Sequence, residues 1–156
     1  MSIAPQEIRT FFVTSATANR HAIFQATRMA ALLIDVLQDN RNRKRFLLHE
    51  FVVMPDHFHV LLTPADDVSL EKAVQYIKGG FSFRARRELD CHTPIWQESF
   101  TEHRILDRND YEQHRAYIHG NPVKRLLARR PEEFPYSSAH AGSQTDPVPP
   151  WLKPPI

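Results

Sequence analysis

The chain has 156 residues, 42% apolar and 24% charged, with a formal net charge of +2, which suits one globular domain with a core of its own. Its single cysteine, Cys91, excludes an internal disulfide framework and a multi-cysteine zinc site, and favours a reducing, cytoplasmic setting. No apolar run reaches membrane-spanning length, and Met1 to Arg9 lacks the apolar stretch of a signal peptide.

In chain order, Phe11 to Thr17 is rich in β-branched and aromatic residues and reads as a first strand. A helix is expected from Thr27 to Asn40, where Met29, Leu32, Leu33, Val36 and Leu37 form one apolar stripe. Arg45 to Met54 and His57 to Thr63 read as two strands joined by the Pro55-Asp56 turn, hence antiparallel neighbours. Ser69 offers an N-cap to a second helix whose apolar residues run from Leu70 to Phe81, with Gly79-Gly80 as an expected interruption. Glu102 to Leu106 supplies a short fourth strand. A third helix is expected to start at Asn109, with Glu112 completing a capping box, and to end near Gly120 because Asn121 precedes a proline. Residues 131–156 hold seven of the twelve prolines and read as irregular. The order β-α-β-β-α-β predicts an α+β, ferredoxin-like sandwich: an antiparallel sheet with its first and third strands at the centre, plus a C-terminal helix. The expected division is one domain over 1–140 and a proline-rich tail over 141–156.

Two features carry chemistry. On a strand, alternate residues share a face, so His57 and His59 point together and can act as a bidentate metal clamp; two unrelated histidines would give the same pattern. Tyr117 and Asn121 lie four apart on the third helix and share a face. A tyrosine hydroxyl can act as a nucleophile, and an amide oxygen can ligate a hard cation; a core tyrosine and a helix-ending asparagine are the plainer alternative. Tyr111 is a rival nucleophile, but its position six residues earlier turns it away from Asn121 and suits packing. Two basic clusters, one containing Lys78, Arg84 and Arg87 and the other Lys124 and Arg125, fit contacts to a polyanion.

Phe51-Val-Val-Met-Pro-Asp-His-Phe-His-Val-Leu-Leu62 resembles the segment bearing the HUH motif of single-tyrosine transposases. Tyr117-Ile-His-Gly-Asn-Pro-Val-Lys124 resembles the tyrosine helix of their REP-associated branch, as do Trp96 to His103 and Pro135-Tyr-Ser-Ser138. The resemblance spans about Phe11 to His140 and implies a ferredoxin-like fold. It implies Mg²⁺ or Mn²⁺ held by His57, His59 and Asn121, and single-stranded DNA substrates that form REP-like hairpins. It also implies a 5′-phosphotyrosine at Tyr117 with release of a 3′-OH, in a monomer or a homodimer, at the nucleoid. Two positions depart from the pattern: Gly120, where a larger residue is expected, and Asp56, where asparagine is more usual.

Three other readings compete. A domesticated relative would bind hairpins without cutting. An RNA-binding domain would use Lys78-Gly-Gly-Phe-Ser-Phe83 as an aromatic strand motif. A zinc hydrolase would need a third strong ligand, such as His103 or His114, and no HExxH pattern is present.

Overall fold

A computed structural model describes residues 3–154; Met1 and Ser2 of the N-terminal segment, and Pro155 and Ile156 of the proline-rich one, lie outside the described residues. Four strands, β1 (Phe11–Ala16), β2 (Phe46–Met54), β3 (His57–Pro64) and β4 (Thr101–Arg104), form one sheet of order β2-β3-β1-β4. Every pairing is antiparallel. Three helices, α1 (Thr27–Asn42), α2 (Leu70–Leu89) and α3 (Arg108–Lys124), complete the α+β architecture. The ferredoxin-like order, with β1 and β3 central, is the one expected from the sequence.

Alternation along β3 sorts its side chains into two layers. Phe58, Val60 and Leu62 join the main core with Leu33, Val36 and Leu37 of α1 and Val74, Ile77 and Phe81 of α2. Leu61, with Val52 and Met54 of β2, faces the other way and packs with Tyr111 and Ile118 of α3. The sheet therefore separates α1 and α2 from α3. A β-bulge between Leu48 and Glu50 changes the phase of β2. Leu48 stays in the main core, while the next two residues both turn toward α3: His49 meets the Tyr111 ring at 6.0 Å and Glu50 bonds His119. A bulge re-aims side chains in this way.

Two helix boundaries differ from the sequence expectation. Gly79-Gly80 does not interrupt α2, which is continuous over 20 residues. The side-chain-free Gly80 faces Val36, whose Cγ1 lies 3.5 Å from where a Cβ would stand, so close helix packing offsets the low propensity of glycine. This continuity also removes the RNA-binding reading, since Lys78 to Phe83 is helical. In α3 the cap is Asp107, whose carboxylate accepts from Asp110 N, rather than Asn109. The helix also continues through Asn121-Pro122 to Lys124; Pro122 has no N–H to donate to the carbonyl four residues earlier, so the last turn carries one hydrogen bond fewer.

The proline-rich segment is irregular in backbone but docked. Tyr136 O accepts from Val53 N, Ser138 N donates to Phe51 O, and Asp146 N donates to Leu48 O. Asp146 also accepts from Leu48 N and pairs with Arg41, and Leu152 is buried against the α3 layer.

Candidate active site

The site lies on the α3 side of the sheet. Register places Thr14 of β1 opposite His59, and Ala16 opposite His57; on the other flank Val52 faces His59 and Met54 faces His57. Both histidines are buried, and their ring centroids are 4.8 Å apart. Each imidazole has one nitrogen occupied. His57 Nδ1 donates to Asp56 Oδ1 at 2.6 Å, and His59 Nδ1 bonds Thr14 Oγ1 at 2.7 Å. That leaves Nε2 of each ring as the nitrogen available to a ligand, and His59 Nε2 is buried without any partner. A carboxylate behind Nδ1, as at His57, is a usual device for fixing the tautomer of a metal-ligating imidazole; the Thr14 hydroxyl, which can donate or accept, is able to receive the His59 Nδ1 proton in the same way.

The electrostatics agree. Burial, with the nearby charges of His57, Arg125 and Arg20, lowers the pKa of His59 to about 3. His57 is also lowered, by burial above all, although Asp56 opposes the shift. Both rings are thus neutral near pH 7, the form that ligates metals.

Tyr117 stands over this pair. Its ring meets His59 edge-on at 5.2 Å and Phe12 at 5.9 Å, yet it is 46% exposed, so a substrate can reach its hydroxyl. Asn121 follows one turn later, buried at 3% exposure with its amide Nδ2 unpartnered. Buried polar atoms are seldom left unpaired; the orphan His59 Nε2 is a free lone pair suited to a metal, whereas the orphan Asn121 Nδ2 is a hydrogen-bond donor, and the amide oxygen of Asn121 is the atom that could ligate a cation. The donor set of two imidazoles and an amide fits a divalent cation with coordination positions left open. Tyr111, by contrast, is 2% exposed, and burial pushes its phenol pKa upward, as befits a packing residue.

The basic residues divide. The charges of Arg125 and Arg20 both reach the histidines, and Lys124 closes α3. Lys78, Arg84 and Arg87 lie on α2, across the sheet from the histidines. Lys78 Nζ donates to Gln97 O and Ser99 O, and Arg84 pairs with Asp35 and Glu88; both therefore brace the fold.

Sequence reasoning missed several groups that shape the site. Thr14 could have been found from antiparallel register alone. Asp56, in sequence only a departure from the usual asparagine, orients His57. Arg20 lies in a tight turn where it and Asn19 both have positive φ, and its Nη1 is 3.7 Å from Asp56 Oδ1; nothing in the local sequence signals that geometry. Glu50, a half-buried carboxylate, accepts from His119 Nε2 at 2.6 Å, Ser138 Oγ at 2.6 Å and Arg115 Nε at 3.2 Å, and so ties the tyrosine-bearing helix to β2.

The profile of the family described as Transposase IS200 like matches residues 9–121, a span that runs from β1 through Asn121. The chain belongs to that family. Within it, this transposase is 30% identical over 132 residues to the REP-associated tyrosine transposase of Escherichia coli (strain K12), a match covering 84% of this chain and 76% of the relative. A solved structure of a REP-associated tyrosine transposase bound to a REP hairpin superposes with a TM-score of 0.66 at 28% identity, covering 88% of this chain and 82% of that one. A second solved chain, from Deinococcus radiodurans R1, shares the fold with a TM-score of 0.54 at 22% identity, over 71% of this transposase and 88% of that chain. Among the described residues no helix is long and apolar enough to cross a membrane.

Proposed function

We propose that this transposase cleaves and rejoins single-stranded, hairpin-forming repeat DNA of the REP type through a 5′-phosphotyrosine at Tyr117. The observation that carries the reading is the half-exposed Tyr117 ring packed on His59, whose Nε2 is buried and free. In this reading His57, His59 and Asn121 hold Mg²⁺ or Mn²⁺, which when bound would polarise the scissile phosphate. Tyr117 Oη forms the new bond to phosphorus and gives up its proton, and the P–O3′ bond breaks to release a 3′ oxygen that takes up a proton. The bond to tyrosine keeps the phosphodiester energy, so a second 3′-OH can reverse the step and rejoin strands.

Asp56 and Thr14 hold the imidazoles in register, and Glu50 holds the helix that carries the nucleophile. The arrangement is compatible with a monomer or with a homodimer. Lys124 and Arg125, joined by Arg20, are the proposed contacts to the DNA backbone near the cut. Lys78, Arg84 and Arg87 would meet only a duplex arm that passes around the edge of the sheet.

The test uses 3′-labelled single-stranded oligonucleotides from the DNA flanking the gene, with and without Mn²⁺. The expected result is a metal-dependent label on the protein in a denaturing gel, lost in Tyr117→Phe and kept in Tyr111→Phe. An adduct that survives Tyr117→Phe would move the chemistry to another residue. Hairpin binding with no adduct in the parent protein would favour the domesticated, non-cleaving binder.

A further inference from the structure

A second group of metal-ligating side chains lies outside the histidine pair. His103 of β4 and Asp110 and His114 of α3 each offer one ligand atom, and these atoms all lie within 4.8 Å of one another. His103 Nε2 is 2.8 Å from Asp110 Oδ2, and His114 Nδ1 is 3.1 Å from Asp110 Oδ1. Two imidazole nitrogens thus converge on the two oxygens of a single carboxylate. That carboxylate is fixed from behind, because Leu106 N donates to Asp110 Oδ2 at 2.9 Å. The two rings are stacked, 4.7 Å apart with an interplanar angle of 17°, so both can turn the same edge toward one ion. Exposure rises from 15% for Asp110 through 24% for His114 to 44% for His103, which leaves one side open for an ion to enter.

We infer that His103, Asp110 and His114 form a second divalent-metal site, one that takes a borderline transition metal such as Zn²⁺ or Co²⁺. Two imidazoles with one carboxylate suit those ions, whereas Mg²⁺ prefers oxygen ligands and keeps its waters. In binding, the metal takes the place of the proton on His103 Nε2 and of that on His114 Nδ1, each of which moves to the other ring nitrogen or to solvent, and the imidazole hydrogen bonds to Asp110 are given up. His114 Nδ1 also gives up its 2.8 Å bond to Asp110 O, a carbonyl one helical turn earlier. The site is separate from the His57 and His59 pair: the Phe12 ring stands between the two, 4.7 Å from the His114 ring and 5.2 Å from that of His59. An ion here would cross-link the open edge strand β4 to the first two turns of the helix that carries Tyr117 and Asn121.

The test compares Zn²⁺ and Co²⁺ titrations of the full chain with those of the double variant His103→Gln, His114→Gln. Calorimetry reads the number of equivalents, and Co²⁺ absorbance reports the ligand field. The expected result is one fewer equivalent in the double variant, or affinity for that equivalent weakened by more than about tenfold. A Zn²⁺-dependent rise in Tm should shrink in parallel. The same number of equivalents at unchanged affinity in the two proteins would overturn the assignment. His103→Gln alone, on an exposed strand, gives the same comparison if the double variant does not fold. The inference stands apart from the cleavage chemistry, because loss of DNA adducts in Tyr117→Phe leaves its prediction unchanged.

Discussion

Replacing Glu50 probes how the tyrosine-bearing helix is held to the sheet. The carboxylate is 13% exposed and accepts three hydrogen bonds, from His119, Ser138 and Arg115. Burial pushes its pKa up, but the His119 and Ser138 hydrogen bonds and the charges of His119 and Arg115 outweigh that and leave it below the usual value. Breaking a fully buried, hydrogen-bonded charge cluster costs about 3–5 kcal/mol, and this one is partly buried. The low end applies here, because Arg115 is 46% exposed and can return to water. Glu50→Ala should therefore lose about 3 kcal/mol, and Glu50→Gln, which keeps one acceptor, about 1 kcal/mol. For a chain of this size, 3 kcal/mol lowers Tm by about 6–12 °C. The pH dependence has a definite sign. A carboxyl whose folded pKa lies below its unfolded value of 4.5 contributes stability above that pH and loses it as pH falls through the folded pKa. Urea unfolding of the parent and the two variants from pH 7 to pH 3 measures both effects. A Glu50→Ala protein within 0.5 kcal/mol of the parent (about the size of an ordinary surface change), or a Glu50→Gln protein with the parent's acid slope, would refute the argument.

Asp56→Asn and Thr14→Val should each weaken Mn²⁺ binding at the histidine pair by about 10–100-fold while leaving the far-ultraviolet spectrum unchanged, since each removes the partner of one Nδ1; direct Mn²⁺ titration checks this. Gly120→Ala should stabilise the chain by about 0.5–1 kcal/mol in urea unfolding, because a Cβ there meets nothing within 4 Å and alanine favours the helix. If Lys124 and Arg125 each neutralise one phosphate, their replacement by alanine should flatten the slope of log K against log salt by about 0.7 apiece for single-stranded DNA; an equal loss from Lys78→Ala would contradict its role as a brace for residues 97–99.

What the sequence conveyed follows from how local each signal is. The α1 stripe repeats every three to four residues, and the hairpin of β2 and β3 turns at Pro55-Asp56, so both are legible within short windows. The alternation in His57-Phe58-His59 likewise fixes which side chains share a face. Continuity of α2 was hidden because it depends on Val36 lying against Gly80, a contact distant in sequence. The true extent of α3 was hidden because only four of its residues, Tyr111, Ile118, Asn121 and Pro122, are buried, which leaves almost no periodic stripe. The groups behind the imidazoles differ in the same way: Asp56 is adjacent to His57, whereas Thr14 reaches His59 across 45 positions. Arg20 and Glu50 depend on a left-handed loop and on a bulge, neither of which has a compositional signal here.

The docked proline-rich segment has a further consequence for how this protein behaves in a crowded solution. β2 ends the sheet on one side, and a free strand edge is a template on which a second chain can add. Here Tyr136, Ser138 and Asp146 occupy the outward groups of Val53, Phe51 and Leu48, while prolines at 135 and 147 prevent the covering segment from presenting a regular edge of its own. The opposite border, β4, is only four residues long. The last stretch of chain thus serves as a guard against strand-to-strand aggregation, and shortening the protein before Tyr136 would leave a nine-residue ladder open to self-association.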